Sequence, residues 1–254
     1  MKLGRSILVA VLTALSMPVQ ASDLVERGQH LATVMGCTSC HGHDLSGHLF
    51  QEDARMAIAW STNLSRLLPT WSDAQVETTL RTGRRPDGSA LWFMPTFSQQ
   101  QLTPDDMRAL VAWLRSVPPA GEAHPPIRRG PQFESAIAQG YRDSAAQAEH
   151  VAARRPPELG TGLQRGRYLA ILACAECHGP DLKGARDPHP GDPPDLAIAA
   201  AYSAAEFAAL LKTGVTRAGR PAAEMSTEAP KRLSVLGADE VDAIHRYLKA
   251  RASR

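Results

Sequence analysis

Four cysteines occur in the 254 residues, and all four lie in two copies of one pattern: Cys37-Thr38-Ser39-Cys40-His41 and Cys174-Ala175-Glu176-Cys177-His178. Two thiols three positions apart, followed at once by an imidazole, form a chemically specific set. Each thiol can add to one of the two vinyl groups of a haem, giving two thioether bonds. The adjoining histidine then lies under the iron as its proximal ligand. In an exported chain this spacing reads as covalent attachment of haem c, here two per chain.

Three other chemistries compete for the same residues. A four-cysteine zinc site would need both pairs together, yet they are 134 residues apart and each carries a histidine that zinc would not require. Two thioredoxin-like redox motifs fit the cysteine spacing but do not call for the long match that follows each copy. Disulfides within each pair would close loops too small to stabilise anything. Haem attachment uses every cysteine and leaves neither a disulfide nor a free thiol.

The match extends well beyond the cysteines, so the elements that position them are repeated too. Arg27-Gly28 corresponds to Arg165-Gly166, and Leu31-Ala32 to Leu169-Ala170. "LRTGRRPDG" at 80–88 corresponds to "LKTGVTRAG" at 211–219, and Met94 and Met225 each lie six residues beyond the last glycine of that stretch. Each copy closes on an amphipathic helix. Met107, Leu110, Val111 and Leu114 make one apolar face, and Val241, Ile244, Tyr247 and Leu248 make the other. Thr103 before Pro104, with Asp105 and Asp106 behind it, is a strong helix start.

These matches place the first domain at 22–120 and the second at 161–254. Between them, 118–131 holds five prolines in fourteen residues, which disfavours helix or sheet interior. We read 121–160 as a connector that wraps or spaces the domains. The alternative is a small ordered subdomain. Residues 1–21 have Lys2 and Arg5, a short apolar run from Ile7 to Leu15 and a small-residue ending at Ala21, the pattern of a cleaved export signal. The run is short for a membrane span, and no later stretch is apolar enough to be one. Without that leader, basic and acidic side chains number 26 each. A neutral chain argues against nucleic acid as a partner.

Each domain resembles a class I cytochrome c domain. The motifs are Arg-Gly ahead of the haem site, C-x-x-C-H-G, a Thr-Gly turn, a distal methionine and a last helix with an aromatic near its end. The chain as a whole resembles di-haem cytochromes c of Gram-negative bacteria. The resemblance covers 22–120 and 161–254 and omits the connector. It implies an all-α fold of two tandem cytochrome c-like domains, a periplasmic location and redox proteins as partners. It also implies that Gly28 lets the last helix cross closely at Trp113, and Gly166 at Tyr247; small against large at a helix crossing is sound packing. One departure is that Gly28 stands nine residues before Cys37 but Gly166 eight before Cys174.

The sixth iron ligand separates functions. Iron held by histidine and methionine transfers electrons, whereas an open distal position permits catalysis. The second domain has one methionine, Met225; the first offers Met35, Met56, Met94 and Met107. Met94 matches Met225 in the repeat and precedes Pro95, as the distal methionine often does in the family. His189, and less convincingly His48, are the competing ligands. His43 and His245 read as surface histidines. With every cysteine used for attachment, none is left to act as the distal ligand found in some sulfur-oxidising di-haem enzymes.

The expected iron ligands are therefore His41 and Met94, and His178 and Met225, in a one-electron carrier. The alternatives are a di-haem enzyme of peroxidase type and an electron-accepting subunit of a periplasmic dehydrogenase. "STNL" at 61–64 and "PPDL" at 193–196 are expected near the haem edges. Trp60, Trp71 and Tyr202 could donate to propionates, but ordinary burial explains them as well, and Arg84, Arg85 and Arg217 could balance propionate charge but read better as solvated surface residues. Aromatic neighbours of Met94, against Glu224 and Glu228 beside Met225, imply the higher potential for the N-terminal haem.

Overall fold

A computed structural model describes residues 21–185, 189 and 191–254. The export signal expected over 1–21 lies outside them except for Ala21. The first domain opens on α1 (Ala21–Val34) and the single turn α2 (Cys37–His41). It continues through β1 (Leu49–Gln51), β2 (Ala57–Trp60), α3 (Leu64–Leu67), α4 (Asp73–Thr82), α5 (Thr96–Gln99) and α6 (Pro104–Ser116). The α6 start forms as its residues dictate: the Thr103 hydroxyl accepts the Asp106 amide at 3.2 Å, and Pro104 occupies the first turn.

α1 crosses α6 at Gly28. A Cβ there would overlap the carbonyl oxygen of Ala109 and stand 2.7 Å from the Trp113 Cβ. The crossing buries Leu31, Met107, Leu110, Trp113 and Leu114 in one core.

The connector is ordered and wraps the first domain. Its strand β3 (Arg128–Arg129) adds antiparallel to β2, completing a small sheet in the order β1-β2-β3. Helix α7 (Pro131–Ala138) sinks Phe133 completely against Ala57 and Ala59. Helix α8 (Ser144–His150) is anchored where the Ser144 amide donates to the Leu91 carbonyl at 2.9 Å. The prolines sit outside these helices or at their first turn, where a missing N–H costs nothing. Further on, the carbonyls of Pro156 and Pro157 accept from Arg167 and the Tyr247 hydroxyl, 2.8 Å each, tying the connector to the second domain.

The second domain has α9 (Gln164–His178), a 3-10 turn (Leu196–Ala201), α10 (Ala204–Thr213), α11 (Met225–Arg232) and α12 (Ala238–Ala252). Ser203 and Glu206 form the capping box of α10, as Ser72 and Gln75 do for α4. Gly166 repeats the crossing: a Cβ there would meet the Ala243 carbonyl and stand 2.8 Å from the Tyr247 Cβ. Ile244, Tyr247 and Leu248 are buried, while Val241 is only half-buried.

The one-residue difference in spacing has a local cause. α9 runs unbroken from Gly166 through His178, whereas α1 stops at Val34 and α2 restarts at Cys37. Gly36 takes the left-handed conformation (φ 77°) between them and absorbs the extra residue.

The two domains share buried contacts. Leu172 of α9 enters the first domain's core, and Val34 and Phe97 enter the second's. The Tyr168 hydroxyl donates to Asp106 at 2.6 Å, which also pairs with Arg27. His30 and Glu240 approach to 3.1 Å.

Candidate metal centre

In both domains C-x-x-C-H is the last turn of helix, so the two cysteines lie on one face with the histidine beside them. Cys40 and Cys177 are exposed, Cys37 is half-buried, Cys174 is buried, and none is in a disulfide. His41 and His178 are buried. His41 Nδ1 lies 2.9 Å from the Thr62 carbonyl, and His178 Nδ1 lies 2.8 Å from the Pro194 carbonyl. A carbonyl only accepts, so each Nδ1 carries the proton and each Nε2 keeps its lone pair for a metal. Burial also pushes both imidazoles toward the neutral form. The accepting carbonyls belong to "STNL" and "PPDL", so those two stretches fix the orientation of the proximal rings.

The repeat of Asp-Leu-x-Gly after each motif has a physical explanation that the sequence alone did not offer. Leu45 and Leu182 are fully buried and left-handed (φ 56° and 61°). The amides of Gly47 and Gly184 donate to the carbonyls of His41 and His178, 2.8 Å each. Both glycines are left-handed, and a Cβ on either would strike the neighbouring backbone at Ser61 or Pro193. They let the loop with the accepting carbonyl close over the histidine. The signal was in plain view as a repeated D-L-x-G.

On the other side of each domain a second repeated device leads to the methionines. Gly83 and Gly214 cap α4 and α10 in the left-handed conformation. A tight hairpin follows in each, with the Leu91 amide on the Gly83 carbonyl at 2.8 Å and the Ala222 amide on the Gly214 carbonyl at 2.9 Å. Met94 and Met225 leave these hairpins at the same offset, and both are half-buried. Beyond that point the domains diverge. Pro95 and the short α5 follow Met94, while Met225 itself begins α11.

In the second domain Cys174, Cys177, His178 and Met225 line one cavity. Its other walls include Leu196, Phe207, Leu210, Leu211, Leu233 and Leu248. An apolar slot with an imidazole, a thioether and two thiols on its walls fits a flat macrocycle attached through its edge. It suits neither a redox pair nor a four-cysteine zinc site. Burial pushes the Cys37 and Cys174 thiols up to about 12, which disfavours the thiolate a redox cysteine needs. No cluster of three or more His, Cys, Asp or Glu suited to a metal ion occurs among the described residues.

A single family description, cytochrome c, matches this chain twice, over residues 25–118 and 163–252. The chain belongs to the cytochrome c family. A "Diheme cytochrome c-type" protein of Cereibacter sphaeroides is 27% identical over 257 positions, covering 88% of this chain and 84% of that protein. The "Fructose dehydrogenase cytochrome subunit" of Gluconobacter japonicus is 31% identical over 121 positions, 46% of this chain and 24% of that subunit. The fold is all-α as expected, with the three-stranded sheet as a minor addition. Covalent haem c follows from the family, and two cytochrome c domains fit two haems per chain.

The remaining candidates lie elsewhere. Met35 and Met107 are buried in the α1–α6 core, and Met56 packs with the Phe133 cluster. The His189 side chain is 85% exposed beside Asp192, and His43 and His48 are exposed. His245 was expected on the surface and is instead buried, stacked on Phe207 at 4.6 Å, because α12 turns that face toward the 3-10 turn at Ala199. Trp60 stacks on His124 of the connector at 4.4 Å, and Trp71 and Tyr202 pack in the cores. Arg85 donates to the Ala90 carbonyl and Arg217 to that of Ala201, while Arg84 pairs through its backbone with Ala90.

Proposed function

We propose that this chain is an exported, periplasmic di-haem electron carrier, with His41 and Met94 as axial ligands in the first domain and His178 and Met225 in the second. The observation that carries the reading is the second cavity, whose wall holds His178, Met225 and both thiols together. The first domain is assigned by its equal offset in the repeat and its equally pinned histidine. Each haem supplies one reversible electron when bound. The protein's part is to hold the proximal imidazole in one tautomer, to close the distal side with a thioether, and to keep water from the apolar walls. A periplasmic location rests on the leader-like residues 1–21, and no helix among those described is long and apolar enough to cross a membrane.

A second reading, electron acceptor within a dehydrogenase complex, is favoured by the likeness to the fructose dehydrogenase cytochrome subunit. It keeps the same haem chemistry and adds a stable partner. The absorption spectrum of the oxidised protein tests the ligand set. Methionine on ferric haem gives a weak long-wavelength charge-transfer band, and both haems should be low-spin. Rapid carbon monoxide binding by the reduced protein at one equivalent per chain would show an open distal site and favour a di-haem enzyme. Co-purification with a dehydrogenase from the native host would select the second reading.

A further inference from the structure

Arg232 ends α11, deep between the domains, and its side chain is 8% exposed. Its Nη2 meets the Glu176 carboxylate at 2.8 Å, and Glu176 lies inside the second motif, between Cys174 and Cys177. The other face of the guanidinium lies on the residue just before the first motif. A Cβ on Gly36, the residue before Cys37, would fall 2.6 Å from Arg232 Cζ and 2.9 Å from Nε. Nη2 also points toward the Val34 carbonyl at 3.4 Å, while Nε is buried without a partner. The same side chain lines the cavity of the second domain. One buried cation thus touches the second motif and the residue before the first, and its charge acts on the Cys37 and Cys40 thiols as well. Glu176, Glu224 and Glu228 are the carboxylates that act on this cluster of charge and thiols.

We propose that Arg232, paired with Glu176, is a positioning residue that locks the two haem-attachment motifs against each other and sets the potentials of both haems together. This rests on the reading that each motif carries a haem. An ion pair is buried at some cost, so it persists only where its geometry is well supported; here Gly36 has no side chain, which allows the guanidinium to lie flat on the backbone. Oxidised haem carries one more positive charge than reduced haem. A buried cation at the attachment edges therefore favours the reduced state at both, and a carboxylate there opposes it.

The test is a redox titration of the full-length, haem-loaded protein and of the variants Arg232→Met, Arg232→Lys and Glu176→Gln, each first checked by intact mass for two covalent haems. Arg232→Met should lower both redox steps, Glu176→Gln should raise both, and Arg232→Lys should lie between wild type and Arg232→Met. Loosening of the interface alone would shift the potentials in the same direction whichever partner was removed, so opposite signs separate charge from mere packing. If Arg232→Met is too unstable to titrate, Glu176→Gln and Arg232→Lys still decide. Steps unmoved by the substitutions, moved in one haem only, or moved with the same sign would overturn the proposal. Wild-type protein with fewer than two haems by mass would instead overturn the haem reading beneath it.

Discussion

Replacing Gly28 with alanine adds one methyl group where two helices touch through backbone. The new Cβ would overlap the Ala109 carbonyl oxygen and stand 2.6 Å from its carbon and 2.7 Å from the Trp113 Cβ, where ordinary contact begins at 3.4 Å. Two of those three atoms are backbone, so no rotamer change relieves them. α1 and α6 must part, by more at the Ala109 carbonyl than at the Trp113 Cβ, loosening the Leu31, Met107 and Leu110 core over the whole crossing. Overpacking of this kind costs about 1–3 kcal/mol, and a rigid backbone obstacle puts the case near the top. Alanine recovers up to about 1 kcal/mol through better helix propensity. The net loss of about 2–3 kcal/mol corresponds to a melting point lower by about 8–24 °C for a domain of this size. Thermal unfolding of the haem-loaded protein, followed by far-ultraviolet circular dichroism and haem absorbance, measures it. Gly162→Ala is the control, since nothing lies within 4 Å of a Cβ there and its φ is not positive. A Gly28→Ala protein that melts with or above wild type, while Gly162→Ala is neutral, would refute the crossing argument.

Replacing both Cys174 and Cys177 with alanine should leave one covalent haem by intact mass and weaken the second domain; two haems retained would be incompatible with the attachment sites. Phe133→Ala empties a fully buried site between the connector and β2, so a loss of about 3–5 kcal/mol is expected, together with faster proteolysis within 121–160. A variant as stable as wild type would mean that the connector does not support the first domain. Met225→His should lower one redox step and leave the other nearly unchanged, since histidine in place of methionine stabilises the ferric state of its own haem; two steps shifted equally, or none, would count against Met225 as an axial ligand.

Much of the site was legible from the chain itself because its chemistry is local. A C-x-x-C-H turn brings two thiols and an imidazole together whatever surrounds it, and duplication showed which downstream residues belonged with it. The amphipathic faces of α6 and α12 and the Thr103 cap follow from short-range patterns of the same kind, whereas the pairings of Gly28 with Trp113 and Gly166 with Tyr247 came from the resemblance to cytochrome c domains. What needed tertiary structure were the contacts between residues far apart in sequence. The backbone carbonyls of Thr62 and Pro194 have no identity in a sequence, yet they fix the proximal tautomers. The proline-rich connector read as a wrap, a spacer or a small subdomain, and only the contacts of Phe133 and β3 placed it against the first domain. His245 became a core residue only through the way α12 turns on the 3-10 turn. Glu224 and Glu228 argued from sequence for a lower potential in the second domain, but folding brings Arg232 into the same cavity and against the first motif. Charge acts through space, and Cys40 and Arg232 stand 192 positions apart in the chain, so only the packed interface could decide that one cation serves both sites.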